Sequence, residues 1–311
     1  MRNRREARII PIRGEGRKTY QWTSVVAPDA VQIAQLAERF QVYPEFFHDV
    51  QDPDERPRLE KEGNNILVIL KVPLQHPEGD AREGSLAVIP VGIVFGRDEI
   101  LSVCAEELPM LHAMESQLAE ESEAIDPRWL TVEMIQRMAS EFLQALARIN
   151  LEIQRTEERL HHSQSNDEFF AMLNQSKILI RFTSALRGDI SVLQQLLRLP
   201  IIRQDEEDSE DLADALIDLQ QARDMTEIYT STVTNMMDAY GGVLQTNISN
   251  TLKVITGWTV IVAIPATIAT IYGMNVPLPL QDWKYAWPTL MGGGFFLSLL
   301  AFLWFRGRQW V

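Results

Sequence analysis

One cysteine, Cys104, stands in 311 residues, which excludes a disulfide framework and a thiolate metal cluster and suits a reducing compartment. It lies in an apolar, strand-like run and reads as a small core residue. Basic side chains are also scarce: 29 Lys and Arg face 43 Asp and Glu, for a formal charge of -14. Such a chain repels phosphates and attracts cations, so nucleic acid is not expected as a partner. The histidines, His48, His76, His112, His161 and His162, include no pair at the three- or four-residue spacing of a helical metal site, and they read as solvated. No nucleophile elbow and no glycine-rich phosphate loop after a strand is found, so the chain is read as a non-enzyme. The opening MRNRREARII is basic but leads into no apolar core segment, and no cleaved signal is expected.

Charge of either sign is missing from two stretches, 254–281 and 285–305. Each supplies the roughly 20 residues that a helix needs to cross about 30 Å of hydrocarbon. Between them, 276–284 holds Pro277, Pro279, Asp282 and Lys284 and reads as a short outer loop. Lys253 precedes the first run, and Arg306 and Arg308 follow the second, so the positive-inside bias places both termini in the cytoplasm of a two-span plasma (inner) membrane protein. Trp283 and Trp287 near one interface, and Trp304 and Trp310 near the other, fit either aromatic belts or internal packing.

Ahead of the spans, residues 1–105 alternate strand-like runs (7–12, 66–74, 86–96) with a helical pattern over 26–40, where Pro28 stands near the helix start. This predicts an α/β domain within an α+β chain. Residues 106–206 carry long helical patterns. One opens with Asp126 as N-cap and Pro127 in the first turn, and places Leu130, Met134, Met138, Phe142, Ala145 and Ile149 on one face. A second runs from Glu168 to Leu199. No proline interrupts 207–264, so a stalk helix over 207–253 is expected to continue into the first span, roughly 65 residues and about 100 Å in all. Its apolar stripe is read as Met225, Ile228, Val233, Met236, Tyr240 and Leu244, broken by threonines. That suits loose association with further copies of the chain.

Two stretches carry chemistry. In the first span, Thr256, Thr259, Ala263, Thr267 and Thr270 recur at three- and four-residue spacing and draw a small, partly polar stripe, which fits either a helix contact or a pore lining. In DEEDSEDLADALIDLQ (205–220), Asp211, Asp214 and Asp218 share one helix face with Glu207. That face is either solvated or a cation site.

The closely spaced C-terminal runs, the string YGMN (272–275) and the ending FRGRQWV (305–311) resemble the CorA-type magnesium channels. So do DPDERPRLEKEGNNILVILKVPL (52–74), LRGDI (186–190) and the DAY...N...LKVIT approach to the first span (238–256). The resemblance implies a homopentameric funnel in the lipid bilayer. A cytosolic α/β domain (1–105), a cytosolic helical region (106–206) and stalk helices (207–253) would lead to a pore-lining first span (254–275). An outer loop (276–284), a surrounding second span (285–305) and a cytoplasmic tail (306–311) would follow.

Within that frame Gly273, Met274 and Asn275 form the selectivity filter. Mg2+ gives up its waters reluctantly, and a ring of Asn275 side chains would accept hydrogen bonds from an intact hydration shell. Gly273 would let the chain turn or approach closely, and Met274 would pack the loop. By chemistry alone, an Asn at a helix end is also an ordinary C-cap. Asp214, then Asp211 and Asp218, become candidates for an intracellular Mg2+ sensor that closes the channel. Co2+ and Ni2+ are expected to pass on similar hydrated size. The rival readings are a Zn2+-transporting branch of the same superfamily and a non-conducting sensor or scaffold.

Overall fold

The computed structural model describes residues 7–13, 19–76, 86–96, 99–120, 126–162, 166–203, 205–274, 276, 278–280, 282–308 and 310, without the side chains of 13, 19, 119, 120, 161, 162 and 166. The chain divides into two units, Met1–Met237 and Asp238–Val311.

In the first unit, strands β1 (Arg8–Arg13), β2 (Thr19–Val26), β3 (Arg58–Glu62), β4 (Asn65–Gln75), β5 (Leu86–Phe95) and β6 (Glu99–Cys104) form one sheet in the order β1-β2-β6-β5-β4-β3. Every pairing is antiparallel except β2 with β6. The near-continuous apolar runs of β4 and β5 have a direct cause: both faces of these strands are covered. Leu67, Ile69, Val94 and Leu101 face α1 (Ala30–Phe40) and α2 (Pro44–Gln51), which contribute Ile33, Leu36, Phe40, Phe46 and Phe47 to the same core. The opposite face receives α4 (Pro127–His162) and α5 (Asn166–Leu196), with α3 (Pro109–Glu120) between β6 and α4 in the chain. Cys104 is a buried core residue, and burial pushes its thiol up to about 12.

Local chemistry explains the helix starts. Asp29 caps α1 in a reciprocal capping box with Gln32, so the helix begins at Ala30, two residues beyond Pro28, and not at the expected 26, which belongs to β2. Asp126 Oδ1 accepts the N–H of Arg128 at 2.8 Å, with Pro127 as the first residue of α4. Leu130, Met134, Met138, Phe142, Ala145 and Ile149 are all buried, and Phe142 meets Phe182 of α5 edge-on at 5.3 Å. The second pattern ends at Leu196 rather than Leu199, and a short helix α6 (Pro200–Arg203) follows. The LRGDI string ties α5 to the sheet: Asp189 is buried and its Oδ1 accepts the backbone N–H of Lys71 at 3.0 Å. A Cβ added at Gly188 would lie 2.6 Å from Cγ of Pro57.

Helix α7 runs without a break over Glu206–Tyr272, and α8 over Ala286–Gly307. The stalk stripe differs from the expected one. In the first unit α7 buries Leu212, Ala215, Leu219, Ala222, Thr226 and Val233, while Ile228 is 61% exposed. Thr226 tolerates burial because its hydroxyl donates to the Ala222 carbonyl at 2.7 Å. The small residues Ala215, Ala222 and Thr226 make this a low seam, which apolar size alone does not reveal.

Candidate ion path and carboxylate cluster

Among the described residues, α7 through its apolar C-terminal end and α8 are the two helices long and apolar enough to cross a membrane. They form a hairpin through one face of each. Ile261, Ile264, Pro265 and Ile268 of α7 are partly covered, and Gly257 is buried. From α8, Gly294 and Ser298 are buried one turn apart. Pro265 has no N–H to give to the carbonyl four residues earlier, that of Ile261. The hydroxyl of Ser298 donates to that carbonyl at 2.9 Å instead. Gly294 permits the approach: a Cβ there would lie 2.9 Å from Cδ1 of Ile268 and 3.5 Å from Cα of Pro265. Ser298 was not singled out from the sequence. The spacing Gly-x-x-x-Ser within an apolar run is the signal that could have found it.

The stripe of Thr256, Thr259, Ala263, Thr267 and Thr270 lies on the other side of α7, and all five residues are exposed. The hydroxyls of Thr259, Thr267 and Thr270 each donate at 2.8 Å to the carbonyl one turn back, those of Ile255, Ala263 and Ala266. Their protons are thereby committed to the helix, which leaves oxygen lone pairs to face outward. Along Thr259, Thr267 and Thr270 the face presents acceptors without donors. That is the polarity a cation or its coordinated water prefers.

At the end of α7 the backbone tightens. The N–H of Gly273 is shared between the carbonyls of Ala269 (3.0 Å) and Thr270 (3.2 Å), and that of Met274 goes to Ile271 at 3.2 Å. The φ of Gly273 is not in the left-handed region, and an added Cβ would meet only the Ala269 and Thr270 carbonyl oxygens, both at 3.4 Å. Within one chain no turn here requires glycine. Met274 is 56% exposed. Asn275 lies outside the described residues. The hydroxyl of Tyr272 donates to the Pro279 carbonyl at 2.6 Å, which ties the helix end to the segment that follows. At the other end of the hairpin Trp310 stacks on Phe305 at 5.5 Å, and the Arg308 guanidinium lies 4.6 Å from the Trp304 ring, so two of the four tryptophans have internal partners there.

The acidic stretch belongs to the first unit. Asp205 caps α7, its Oδ1 accepting the N–H of Glu207 at 3.1 Å. Glu207 and Asp214 are exposed, and Asp211 and Asp218 are half-buried. The Asp211 carbonyl accepts from Gln136 of α4 at 3.1 Å. Among the described residues of a single chain, no three His, Cys, Asp or Glu side chains are grouped to hold a metal ion. The carboxylate with the most distinct environment was not foreseen. Asp208, only 4% exposed, is pushed up to about 6, first by burial and then by the charge of Asp205, with Arg128 acting in the opposite direction. Arg128 is itself paired with Asp126 at 2.7 Å. Asp208 precedes Leu212, Ala215 and Leu219 by four, seven and eleven positions, so the periodicity of the buried seam already includes it.

A family model described as CorA-like Mg2+ transporter protein matches residues 17–307. The cobalt/magnesium transport protein CorA of Methanocaldococcus jannaschii is 23% identical over 297 residues, covering 93% of this chain and 91% of that protein. The complete structure of the CorA magnesium transporter from Methanocaldococcus jannaschii superposes with a TM-score of 0.78 at 21% identity, covering 96% of each chain. The ZntB cytoplasmic domain from Vibrio parahaemolyticus superposes with a TM-score of 0.59 at 12% identity, covering 73% of this chain and 88% of that one.

Proposed function

The chain belongs to the CorA-like Mg2+ transporter family, and from that premise we propose that it is a homopentameric divalent cation channel that takes up Mg2+ through a path lined by α7. It is a two-span membrane protein with a cytosolic N-terminal unit. The observation that carries the proposal is the row of acceptors that Thr259, Thr267 and Thr270 present on α7, exposed in one chain and opposite the face that holds α8. Copies of α7 arranged around an axis would bring Thr256, Thr259, Ala263, Thr267 and Thr270 to a shared path, with α8 outside. The threonine oxygens would accept hydrogen bonds from the waters of a hydrated ion and leave its inner shell intact.

Asn275 supplies the entrance ring in this reading, and Gly273 keeps the helix ends free of side chains where the copies converge. The amide oxygen holds a hydrated ion loosely enough to let it pass, which conduction requires. Mg2+ is the principal cargo, with Co2+ and Ni2+ as further transported ions. Asp211, Asp214 and Asp218 serve as the cytosolic sensor. Among the described residues a single chain groups no metal site there, so a regulatory Mg2+ would take ligands from two subunits, and its loss would free the ring to open.

The test is flux into liposomes that contain the purified protein. Wild type admits Mg2+, and Asn275→Ala, with assembly preserved by size-exclusion chromatography, does not. Normal Mg2+ uptake by the variant would remove Asn275 from the path, and uptake of Zn2+ alone by wild type would replace the cargo.

A further inference from the structure

A cavity of about 530 Å3 opens between α4 and α5 in the first unit, beside the ends of β4 and β5. Its volume lies in the range of small-molecule sites, about 300–1,000 Å3. Its α4 wall carries Arg148, Glu152, Arg155 and Arg159, at four-, three- and four-residue steps along one face. In a chain of net charge -14 this is a local excess of positive charge. Among the described residues Glu152 is the one carboxylate in the cavity lining, and Arg155 occupies its Oε1. The guanidiniums of Arg148 and Arg159 have no carboxylate partner among the described residues.

A second observation comes from the α5 wall. Gln175 is 8% exposed, lines the cavity, and its Oε1 has no hydrogen-bond partner. The orientation of this amide follows from its neighbour. Thr156 donates its hydroxyl to the Glu152 carbonyl at 2.8 Å, so Thr156 Oγ1 is left to accept, from Gln175 Nε2 at 3.2 Å and from Arg159 Nη2 at 3.2 Å. Rotating the amide would set its oxygen against an oxygen with no proton to share. Gln175 Oε1 is thus an acceptor in want of a donor, a state that burial penalises. Asn174 adds a second amide, and Leu86, Ile149 and Ile178 add apolar surface.

Guanidiniums without acid partners, carboxamides and apolar walls match three parts of one molecule: phosphate groups, the hydrogen-bonding edge of a base, and its ring faces. We propose that the α4–α5 cavity binds a nucleoside polyphosphate, with the phosphates on Arg148 and Arg159 and an N–H of the base on Gln175 Oε1. Inorganic polyphosphate satisfies the arginines but leaves the amide and the apolar walls unused, and so binds more weakly.

Calorimetric titration of the full-length protein in detergent, in buffer free of divalent cations, tests this with two probes, ATP and inorganic tripolyphosphate. ATP binds saturably and more tightly than tripolyphosphate. Arg148→Gln/Arg159→Gln weakens both by at least about tenfold. Gln175→Leu weakens ATP about fivefold, leaves tripolyphosphate unchanged, and does not lower the melting temperature, because it exchanges an unmet amide for an apolar side chain of similar size. Absence of saturable ATP binding, equal affinity for the two probes, or unchanged ATP affinity in folded Gln175→Leu or in the arginine variant each overturns the proposal.

Discussion

Replacing Asp208 by Asn should make the protein more stable at alkaline pH and leave it unchanged in acid. The carboxyl is raised from its ordinary 3.8 to about 6 by burial and by Asp205 beside it. At about 1.4 kcal/mol for each pH unit, the charged form costs the folded state ~3 kcal/mol at most. Its sign follows from proton binding. Between about pH 4 and pH 6 the folded chain keeps a proton that the unfolded chain has released, so stability falls as pH rises through that window. The cost is absent below it and complete above it.

Two effects reduce the figure. Neighbouring charges near solvent are screened, and a negative charge in the first turn of α7 gains about 0.3–1 kcal/mol from the helix dipole, which Asn forgoes. A net gain of roughly 1–2 kcal/mol remains, or about 3–6 °C in melting temperature for a unit of this size. Far-UV circular dichroism melts of wild type and Asp208→Asn, in detergent without divalent cations at about pH 4.5 and about pH 8, give the comparison. A shift that is the same at both pH values, or a variant that melts lower at about pH 8, would refute the assignment of the raised carboxyl to Asp208.

Further outcomes concern transport and assembly. Asp211→Asn/Asp214→Asn/Asp218→Asn should weaken inhibition of uptake by internal Mg2+ and leave the preference among ions unchanged; inhibition curves that overlay wild type return this face to a solvated role. Single cysteines at Thr267 or Thr270 should react with aqueous thiol reagents in the open state and one at Leu299 should not, and the reverse pattern exchanges the two spans. Ser298→Ala should destabilise the hairpin by about 0.5–1.5 kcal/mol by leaving the Ile261 carbonyl without a donor in an apolar medium; equal resistance to denaturing detergent would show that this carbonyl finds another partner.

Much of the fold was written in local periodicity. The Asp126-Pro127 start and the buried face from Leu130 to Ile149 are set by capping chemistry and by the 3.6-residue turn, and both operate within one helix. Charge-free runs long enough to span a bilayer are likewise a property of contiguous residues. Strands β2 and β3 and the short helix α2 were not legible, because their sequences are mixed in polarity and their pairing is long-range: β2 lies parallel to β6, some eighty positions away. The stalk stripe misled for a related reason. Exposed Ile228 outranks Thr226 in hydrophobicity, but the seam accepts the smaller residue, whose hydroxyl is satisfied within its own helix.

The functional regions divide along the same line. The YGMN string and the threonine spacing are visible in the chain, because a motif and a helix face are both counted along the sequence. Only the tertiary structure decided which carbonyl Ser298 meets across the hairpin, that burial singles out Asp208 among its acidic neighbours, and that Thr156 orients the amide of Gln175. Each depends on atoms 19 or more residues apart or on desolvation, and neither distance through space nor loss of water is a property of the sequence order.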